Sequence, residues 1–431
     1  MRRRAGARRT SGLVVSLALT TLASIAGCGA KTGLDAPDAN IDGGRDAGTD
    51  VAFDAGHDGG PPTRCIVVPP MGGPVSADFS IPATLQIVDV MFLIDATGSM
   101  RDEIDNVRRG LRDRVIPGVT AAIPDAAFGL AFFGEFPIAP HARPDSGVLP
   151  YQLRAPITTD IERLTAAFEG IPTWGNLDDP EADIEGLFQV ATGAGLPPFI
   201  EPSFGCPSGG SGGVCFRADA FRVVLLVTDA PMHNGPPGVG PFANYTFTDP
   251  TPHHYMETVT ALRNLAITVI GLGASDPGRP SPLPHLTQLA ADVDTHHMPL
   301  VFDIGNAGDQ IGQDIVMALE TLADAVPLDV SAEVEDVVGD AIDARTLVVA
   351  VRAASAAPMS GIAGISGNTF SGVTPGTVLT FQIDVDGSRL APSPVRREVR
   401  ARVVFRDAGR SRVGSEDVIF VIPGADGRGC P

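Results

Sequence analysis

The sequence lacks the short motifs that mark several large classes of enzyme. No GxSxG turn lies between a strand and a helix, so a serine hydrolase is not predicted. No GxxxxGK[ST] segment occurs, which excludes a P-loop nucleotide site. Aromatic residues make up only 6% of the chain, and we assign the single tryptophan, Trp174, to packing. We therefore expect a protein that is not an enzyme.

Basic residues are also scarce. The chain has 31 Lys and Arg residues against 51 Asp and Glu residues, which gives a net charge of −20. Such a surface repels nucleic acid and anionic lipid, and it is compatible with divalent cations. The 431 residues are 44% hydrophobic, enough for a sizeable core in about two domains with additional segments.

Long apolar runs are missing except near the N-terminus. Residues 1–9 are basic and residues 11–27 are apolar but short for a membrane span, as in an export signal. Residues 25–28 read IAGC and resemble the lipobox of bacterial lipoproteins. The resemblance implies a signal peptide over 1–28 and lipidation of Cys28. It also implies anchoring to the bacterial cell envelope, with the outer membrane or cell surface favoured. An ordinary signal peptide with an unrelated Cys28 is the alternative.

The segment 29–64 is rich in Asp and Gly and has no apolar pattern. Its aspartates recur every four residues, at Asp38, Asp42, Asp46, Asp50, Asp54 and Asp58. Like charges at this spacing and the interleaved glycines both oppose a helix, so we predict a disordered tether. The alternative, a calcium-binding repeat, would require the DxDxDG spacing, which is absent.

Cysteine is rare but fits an oxidising compartment. The chain has five cysteines, one of which is Cys28. Cys206 and Cys215 flank a loop of Gly and Ser and can pair locally. Cys65 and Cys430 then remain near the two ends of the folded region, and their pairing is the simplest assignment. Other pairings stay open.

Strands alternate with helices between residues 87 and 326. Four continuous apolar runs are typical of strands covered on both faces: 88–94, 127–134, 221–228 and 267–274. The first predicted helix carries Ile104, Val107, Leu111 and Val115 on one face, and Pro117 ends its pattern. Further helices are predicted near 159–169, from Glu181 and at 308–325. The alternation predicts an α/β fold with a doubly wound, mostly parallel sheet.

The period changes to two beyond residue 326. Apolar and polar residues alternate over 379–385 and 399–405, and a further apolar run covers 418–423. Turn signals separate these segments, and no helical pattern appears. Residues 327–431 therefore predict an all-β sandwich domain.

Carboxylates follow the ends of three predicted strands, at Asp95, Glu135 and Asp229. The carboxyl ends of parallel strands share one edge of the sheet, and ligands bind at that edge. Asp95, Thr97 and Ser99 alternate along the turn, so their side chains can point to the same side. Carboxylate and hydroxyl oxygens suit Mg²⁺. For the turn alone, an Asp-capped helix start is the alternative.

A second acidic stretch lies at residues 174–190. It places Asn176, Asp178, Asp179 and Glu181 around Pro180, directly before a predicted helix. Carboxylates that close together repel one another unless cations lie between them. This stretch therefore supports bound cations at the same edge of the sheet.

Two motifs identify a family resemblance. DATGSM at residues 95–100 is similar to the metal-ion-dependent adhesion site motif, DxSxS, of von Willebrand factor A domains. GNLDDPEADIEGLFQV at residues 175–190 resembles the corresponding loop and helix of the integrin β-subunit I-like domain. The pattern extends over about residues 85–325 and implies this fold over 87–326, with three adjacent cation sites.

The resemblance also implies ligands for each cation. The central Mg²⁺ site, with a position left for an acidic group of a ligand, would use Asp95, Thr97, Ser99, Glu181 and Asp229. An adjacent Ca²⁺ would contact the Ser99 carbonyl, Asp102 and Glu103. A third site, also for Ca²⁺, would use Glu135, Asn176, Asp178, the Pro180 carbonyl and Glu181. Thr97 stands where the family has serine, and Glu103 and Glu135 stand where it has aspartate.

The sandwich resembles the integrin hybrid domain, into which the I-like domain is inserted. Residues 65–86 would then join residues 327–431 in one domain. Two pairs of neighbouring histidines, His253–His254 and His296–His297, have no cysteine or carboxylate at a ligand spacing. We therefore interpret them as exposed loop histidines rather than zinc ligands.

The expected function is recognition without catalysis. The resemblance implies a lipid-anchored envelope protein that binds an unknown protein or glycan through an acidic group on Mg²⁺, with no nucleic acid partner and membrane contact only through its lipid. The alternative is a structural scaffold that cations stabilise without ligand binding. A metal-dependent hydrolase is a weaker alternative, because no general base is evident beyond the metal ligands.

Overall fold

The computed structural model describes residues 63–430 except positions 204, 208, 242, 295–298 and 307. The predicted signal peptide with Cys28, and nearly all of the predicted tether, lie outside the described residues. Within the described part, no helix is both long and apolar enough to cross a membrane.

The strands are, in chain order, β1 (Arg64–Val67), β2 (Val75–Pro82), β3 (Ile87–Asp95), β4 (Asp125–Phe133), β5 (Gln152–Thr158), β6 (Phe221–Thr228), β7 (Ile267–Gly273), β8 (Val301–Asp303), β9 (Leu328–Asp336), β10 (Val348–Ala357), β11 (Gly364–Ser366), β12 (Thr369–Val373), β13 (Val378–Val385), β14 (Arg397–Asp407) and β15 (Ser411–Ile422). The α-helices are α1 (Arg101–Gly110), α2 (Ile116–Ala122), α3 (Ile161–Glu169), α4 (Asp183–Thr192), α5 (Tyr255–Asn264), α6 (Leu283–Val293) and α7 (Ile311–Ala325).

Strands β3 to β8 form one six-stranded sheet in the order β5-β4-β3-β6-β7-β8. All neighbouring pairs are parallel except β4 and β5, which are antiparallel. This is the doubly wound order in which the chain reverses direction across the sheet between its first and fourth strands. The predicted fold class is confirmed.

The central strands are buried because helices cover both faces of the sheet. Every residue of β3 is buried. Successive side chains of a strand point to opposite faces. Accordingly Phe92 packs in the same core cluster as Ile104 of α1 and Ile315 of α7. Leu93 packs instead with Leu187 of α4 and Leu262 of α5.

The first helix continues beyond the predicted end at Pro117. A π-helical turn, Leu111–Val115, joins α1 to α2, and α2 extends to Ala122. Pro117 lies in the first turn of α2, where a missing N–H disrupts no intrahelical hydrogen bond. The four predicted runs match β3, β4, β6 and β7, but β5 and β8 carry no continuous apolar run and were missed.

The remaining strands form a β-sandwich. Its larger sheet has the order β1-β15-β14-β9-β12-β11, and its smaller sheet has the order β10-β13-β2. Phe370, Phe381 and Phe405 are fully buried between them, and Phe381 contacts both others. Only two residues separate the end of helix α7 from the start of β9, so the two sheet systems are connected directly.

Both ends of the described chain belong to the sandwich. Strand β1 pairs in parallel with β15, and β2 pairs antiparallel with β13. Cys65 and Cys430 form a disulfide with sulfurs 2.04 Å apart. A second disulfide joins Cys206 to Cys215.

Candidate functional site

The candidate site lies at the carboxyl ends of β3 and β6. These two strands are neighbours at the point where the strand order reverses, which is where doubly wound sheets bind ligands. Asp95 is the last residue of β3, and Asp229 directly follows β6. We call the group Asp95, Thr97, Ser99, Glu181, Asp183 and Asp229 the acidic rim.

Hydrogen bonds connect the side chains of the rim from β3 to β6. The Thr97 hydroxyl donates to Asp95 Oδ1 at 2.7 Å, and the Thr97 and Ser99 hydroxyl oxygens lie 3.3 Å apart. The Ser99 hydroxyl donates to Asp229 Oδ1 at 3.1 Å. The structure therefore brings together four of the five residues predicted for the central site.

Asp95 is fully buried and lies at the centre of this network of hydrogen bonds. Its Oδ1 also accepts from the Thr97 backbone N–H at 2.8 Å, and its Oδ2 accepts from the Thr228 hydroxyl at 3.0 Å. Burial, and next the charge of Asp229, raise the pKa of Asp95 to about 7. A carboxylate in this environment is costly to ionise without a compensating cation.

Glu181, the fifth predicted ligand, enters the rim from the loop before α4. Its backbone is fixed to the loop after β6, because its N–H donates to the Pro231 carbonyl at 3.0 Å. The Asn176 amide donates to Glu181 Oε1, while Oε2 is buried and has no hydrogen-bond partner among the described residues. Burial, followed by the charge of Asp95, holds the pKa of Glu181 well above its usual range.

Asp183 is a further rim residue, and no sequence motif indicated it. It is the first residue of α4, it is fully buried, and neither carboxylate oxygen has a partner in the described part of the chain. Burial and then the charge of Asp95 raise its pKa well above the usual range. An acid in the first turn of a helix is common, so its position alone gave no signal.

Arg279, which no sequence motif indicated, is a cation that faces the rim. It lies in the loop after β7, and its guanidinium donates to Asp229 Oδ2 at 2.9 Å and to Asp179 Oδ1 at 2.8 Å. Burial raises the pKa of Asp229. The hydrogen bond from Ser99 and the charge of Arg279 lower that pKa by less, so the net shift is upward. One guanidinium therefore does not neutralise the rim.

Replacing Arg279 with Gln is expected to raise the affinity for Mg²⁺ about twofold to fivefold. The guanidinium competes with a metal ion for Asp229, and a partly exposed ion pair contributes up to about 1 kcal/mol. Titration calorimetry with Mg²⁺ would measure the change, with Arg112→Gln as the control, because Arg112 pairs with Glu162 on the surface. A lower affinity in Arg279→Gln would show that Arg279 positions Asp229 instead of competing.

The residues predicted for the adjacent Ca²⁺ differ in exposure. Asp102 is exposed, whereas Glu103 is buried and packs against Gly308 in the loop before α7. Glu103 Oε2 has no hydrogen-bond partner among the described residues. Burial, and then the charges of Asp229, Asp102 and Asp309, raise the pKa of Glu103 to about 7.

The residues predicted for the third site fall into two sets of contacts. The Asn176 amide bonds to Glu181 and to the Asp178 carbonyl, so these groups belong to the edge of the rim. The side chains of Asp178 and Glu135 instead face His141 and His233, which were not predicted. We call Glu135, His141, Asp178 and His233 the histidine cluster.

The histidines of the two neighbouring pairs lie outside this cluster. His253 is half-buried, stacks on Phe188 and bonds to Glu185 at 3.0 Å, so its interpretation as an exposed loop residue is wrong. Its burial follows from the fold, which no local spacing indicates. His254 is exposed and caps α5. His296 and His297 lie outside the described residues. Trp174 packs against Phe132 and the core.

Comparison with known proteins gives structural similarity alone. No protein-family model matches the chain, and no curated protein matches it significantly. Similar solved structures include a von Willebrand factor type A protein from Catenulispora acidiphila, with 14% identity, 84% of this chain and 72% of that chain covered, and a TM-score of 0.36. The pilus adhesin SpaC from Lactobacillus rhamnosus GG, in an open conformation, is 13% identical, with a TM-score of 0.34. The match covers 82% of this chain and 45% of that chain.

A third similar structure is the SpRpn10 VWA domain, with 11% identity, 53% of this chain and 95% of that chain covered, and a TM-score of 0.32. Neighbours of this chain are thus von Willebrand factor type A domains. Because the TM-scores lie below 0.5, no property of these proteins is transferred to the chain.

Proposed function

We propose that this chain recognises a protein or glycan ligand at the cell envelope through Mg²⁺ bound at the acidic rim. The residues that would hold the ion are Asp95, Thr97, Ser99, Glu181 and Asp229, with Asp183 as an additional neighbouring charge. A Mg²⁺ ion bound there would accept one oxygen of an acidic group on the partner.

The observation that carries this proposal is the set of buried carboxylate oxygens without partners among the described residues. Glu181 Oε2 and both oxygens of Asp183 are in this state, beside Asp95. Leaving such a group charged and unpaired costs several kcal/mol of folding free energy. The sum over these groups is on the order of the free energy of unfolding of a whole domain. A divalent cation removes this cost, and these oxygen types are the ligands that Mg²⁺ prefers.

We extend the proposal to Ca²⁺ beside the central ion, at the Ser99 carbonyl, Asp102 and Glu103. The buried Oε2 of Glu103, which has no partner in the described part of the chain, supports it. Lipidation at Cys28 would place the protein on the envelope, outer membrane or cell surface, with the rim available to partners. Recognition without catalysis is part of the same proposal.

Ser99→Ala tests recognition with little risk to folding, because Ser99 is exposed while Asp95 and Thr97 are buried. Wild-type protein on a resin should retain a partner from solubilised envelopes in Mg²⁺ and release it in a chelator. Ser99→Ala should retain at least about tenfold less of it, because a metal ligand contributes at least as much as the residues that orient ligands. Ser360→Ala, an exposed serine of the sandwich, is the matched control.

The outcome separates recognition from a structural scaffold. Loss of the partner with unchanged thermal stability supports recognition. Equal retention by wild type and Ser99→Ala, with or without chelator, would contradict it. A fall in stability on chelation without any change in retention would favour the scaffold.

A further inference from the structure

We infer that the histidine cluster is a transition-metal site that binds Zn²⁺, in place of the Ca²⁺ that the family resemblance implies for this position. The cluster joins three loops at the rim side of the sheet, which carry Glu135 and His141, Asp178, and His233. One ligand atom from each of the four residues lies within 4.8 Å of all the others. Within the described residues, this group alone has that property.

The spacing of the four atoms fits a tetrahedral metal ion. Asp178 Oδ2 lies 2.7 Å from His141 Nδ1 and 3.2 Å from His233 Nε2, and Glu135 Oε2 lies 3.3 Å from His233 Nε2. Zinc bonds to nitrogen and carboxylate oxygen are about 2.0–2.2 Å long, so the ligands of a tetrahedral ion stand about 3.3–3.6 Å apart. The other separations are at most 4.8 Å, so shifts of about 1 Å bring the four atoms to the tetrahedral value.

The orientation of the His233 ring provides an independent argument. Its Nδ1 lies 2.8 Å from the Ala243 carbonyl oxygen, which can only accept a hydrogen bond, so Nδ1 carries the proton. In the neutral ring, Nε2 then presents a lone pair to the carboxylates of Asp178 and Glu135. Either a second proton on Nε2 or a metal ion must therefore lie between these acceptors, and the neutral ring directs its lone pair at the position that a metal ion would take. A backbone carbonyl that fixes the ring in this way is the usual partner of a metal-bound histidine.

Burial separates this cluster from a chance group of surface charges. Glu135 is fully buried, and His141 and His233 are 5% and 2% exposed. Of the proposed ligand atoms, Glu135 Oε2 has no hydrogen-bond partner among the described residues. Glu135 Oε1 accepts from the Tyr245 hydroxyl at 2.7 Å, which directs Oε2 towards His233.

The ligand types select the metal. Calcium takes six to eight oxygen ligands, whereas imidazole nitrogen suits zinc and its neighbours among the first-row transition metals. Two histidines and two carboxylates supply all four ligands of a tetrahedral zinc ion. Structural zinc sites are closed in this way, whereas catalytic sites keep one position open for water or substrate. The ion would therefore fix the loop that carries Asn176 and Glu181, and so position the rim without contacting a partner.

The test uses the full chain, stripped with a chelator and titrated with Zn²⁺ against a coloured zinc indicator. Wild type should bind one Zn²⁺ in competition with the indicator. His141→Gln and His233→Gln should each weaken that binding at least about tenfold. Removing a metal ligand costs at least as much affinity as removing a residue that orients one. His254→Asn is the matched control, because it removes an imidazole outside the cluster and keeps a residue suited to cap α5. It should bind like wild type.

A second readout does not depend on the variants folding. Wild type loaded with Co²⁺ should show the visible bands of a four-coordinate ion with nitrogen and oxygen ligands, and an equal amount of Zn²⁺ should remove them. The proposal would be overturned if wild type bound no Zn²⁺, or if its Co²⁺ bands were those of a six-coordinate ion alone. It would also be overturned if both cluster variants bound Zn²⁺ as tightly as wild type. Because Ser99 contributes nothing to the cluster, Ser99→Ala should bind Zn²⁺ normally, so failure of the rim and failure of the cluster are distinguishable.

Discussion

Asp95→Asn is expected to stabilise the metal-free protein while abolishing its binding of Mg²⁺. The two effects have opposite signs because the same charge is unfavourable without a cation and essential with one. Asparagine keeps the shape of the side chain and one acceptor oxygen, so the hydrogen bond from the Thr97 backbone N–H is retained. The variant therefore changes the charge and little else.

The size of the stabilisation follows from the environment of Asp95. Burial, and next the charge of Asp229, raise its pKa from 3.8 to about 7. One pKa unit corresponds to about 1.4 kcal/mol, so the charge costs about 4 kcal/mol above about pH 7. Weakened hydrogen bonds from Thr97 and Thr228 offset about 1 kcal/mol, so a net gain of about 3 kcal/mol is expected there. Because the pKa is raised in the folded state, the charge destabilises increasingly as pH rises from about 4 to about 7.

Urea unfolding in chelator should therefore show a larger gain for Asp95→Asn at about pH 8 than at about pH 5. Titration with Mg²⁺ at the higher pH should show at least about a 100-fold loss of affinity, the upper range found when groups around a metal are removed. Asp145→Asn, in an exposed loop, is the control for loss of one negative charge. Retained Mg²⁺ affinity in Asp95→Asn would contradict the assignment of the central site.

Arg217→Met is expected to destabilise the fold by about 2–4 kcal/mol, at the edge of the sheet opposite the rim. Asp89, within β3, is fully buried, and Arg217 Nε donates to its Oδ1 at 2.6 Å. Arg217 also pairs with Asp125 at the start of β4. Methionine preserves much of the side-chain volume but leaves Asp89 charged and without its cation.

Urea unfolding would measure the loss, and two comparisons identify its cause. Arg112→Met breaks an exposed ion pair with Glu162 and should change stability little. Combining Arg217→Met with Asp89→Asn removes both charges and should restore most of the stability. Equal losses in the single and double variants would show that packing of the Arg217 side chain, rather than the buried charge, accounts for the effect.

The sequence predicted those parts of the fold that depend on local patterns. The strands buried on both faces were found because a short, continuous apolar run is typical of such strands. Strand β5 was missed because it lies at an edge and only Ala155 is buried, so it has no such run. The end of the first helix was misplaced at Pro117 because a π-helical turn lets a new first turn begin there.

Local patterns likewise indicate some residues of the candidate site and not others. Asp95, Thr97 and Ser99 lie within five positions, so a motif could indicate them. Asp183 and Arg279 resemble ordinary acids and bases of helices and loops, and only the folded chain shows what they face. The histidine cluster gathers residues spread from Glu135 to His233, at no recognisable ligand spacing, because separate loops of the sheet supply them.

At the centre of the proposed function, oxygen atoms from the ends of β3 and β6 and from the loop before α4 surround one divalent ion. Anomalous diffraction from crystals of the protein soaked in Mn²⁺ tests this most directly, because Mn²⁺ accepts the same carboxylate and water ligands as Mg²⁺. A peak is expected beside Ser99 Oγ, within bonding distance of a carboxylate of the rim. Manganese in the crystal without a peak at that position would contradict the assignment.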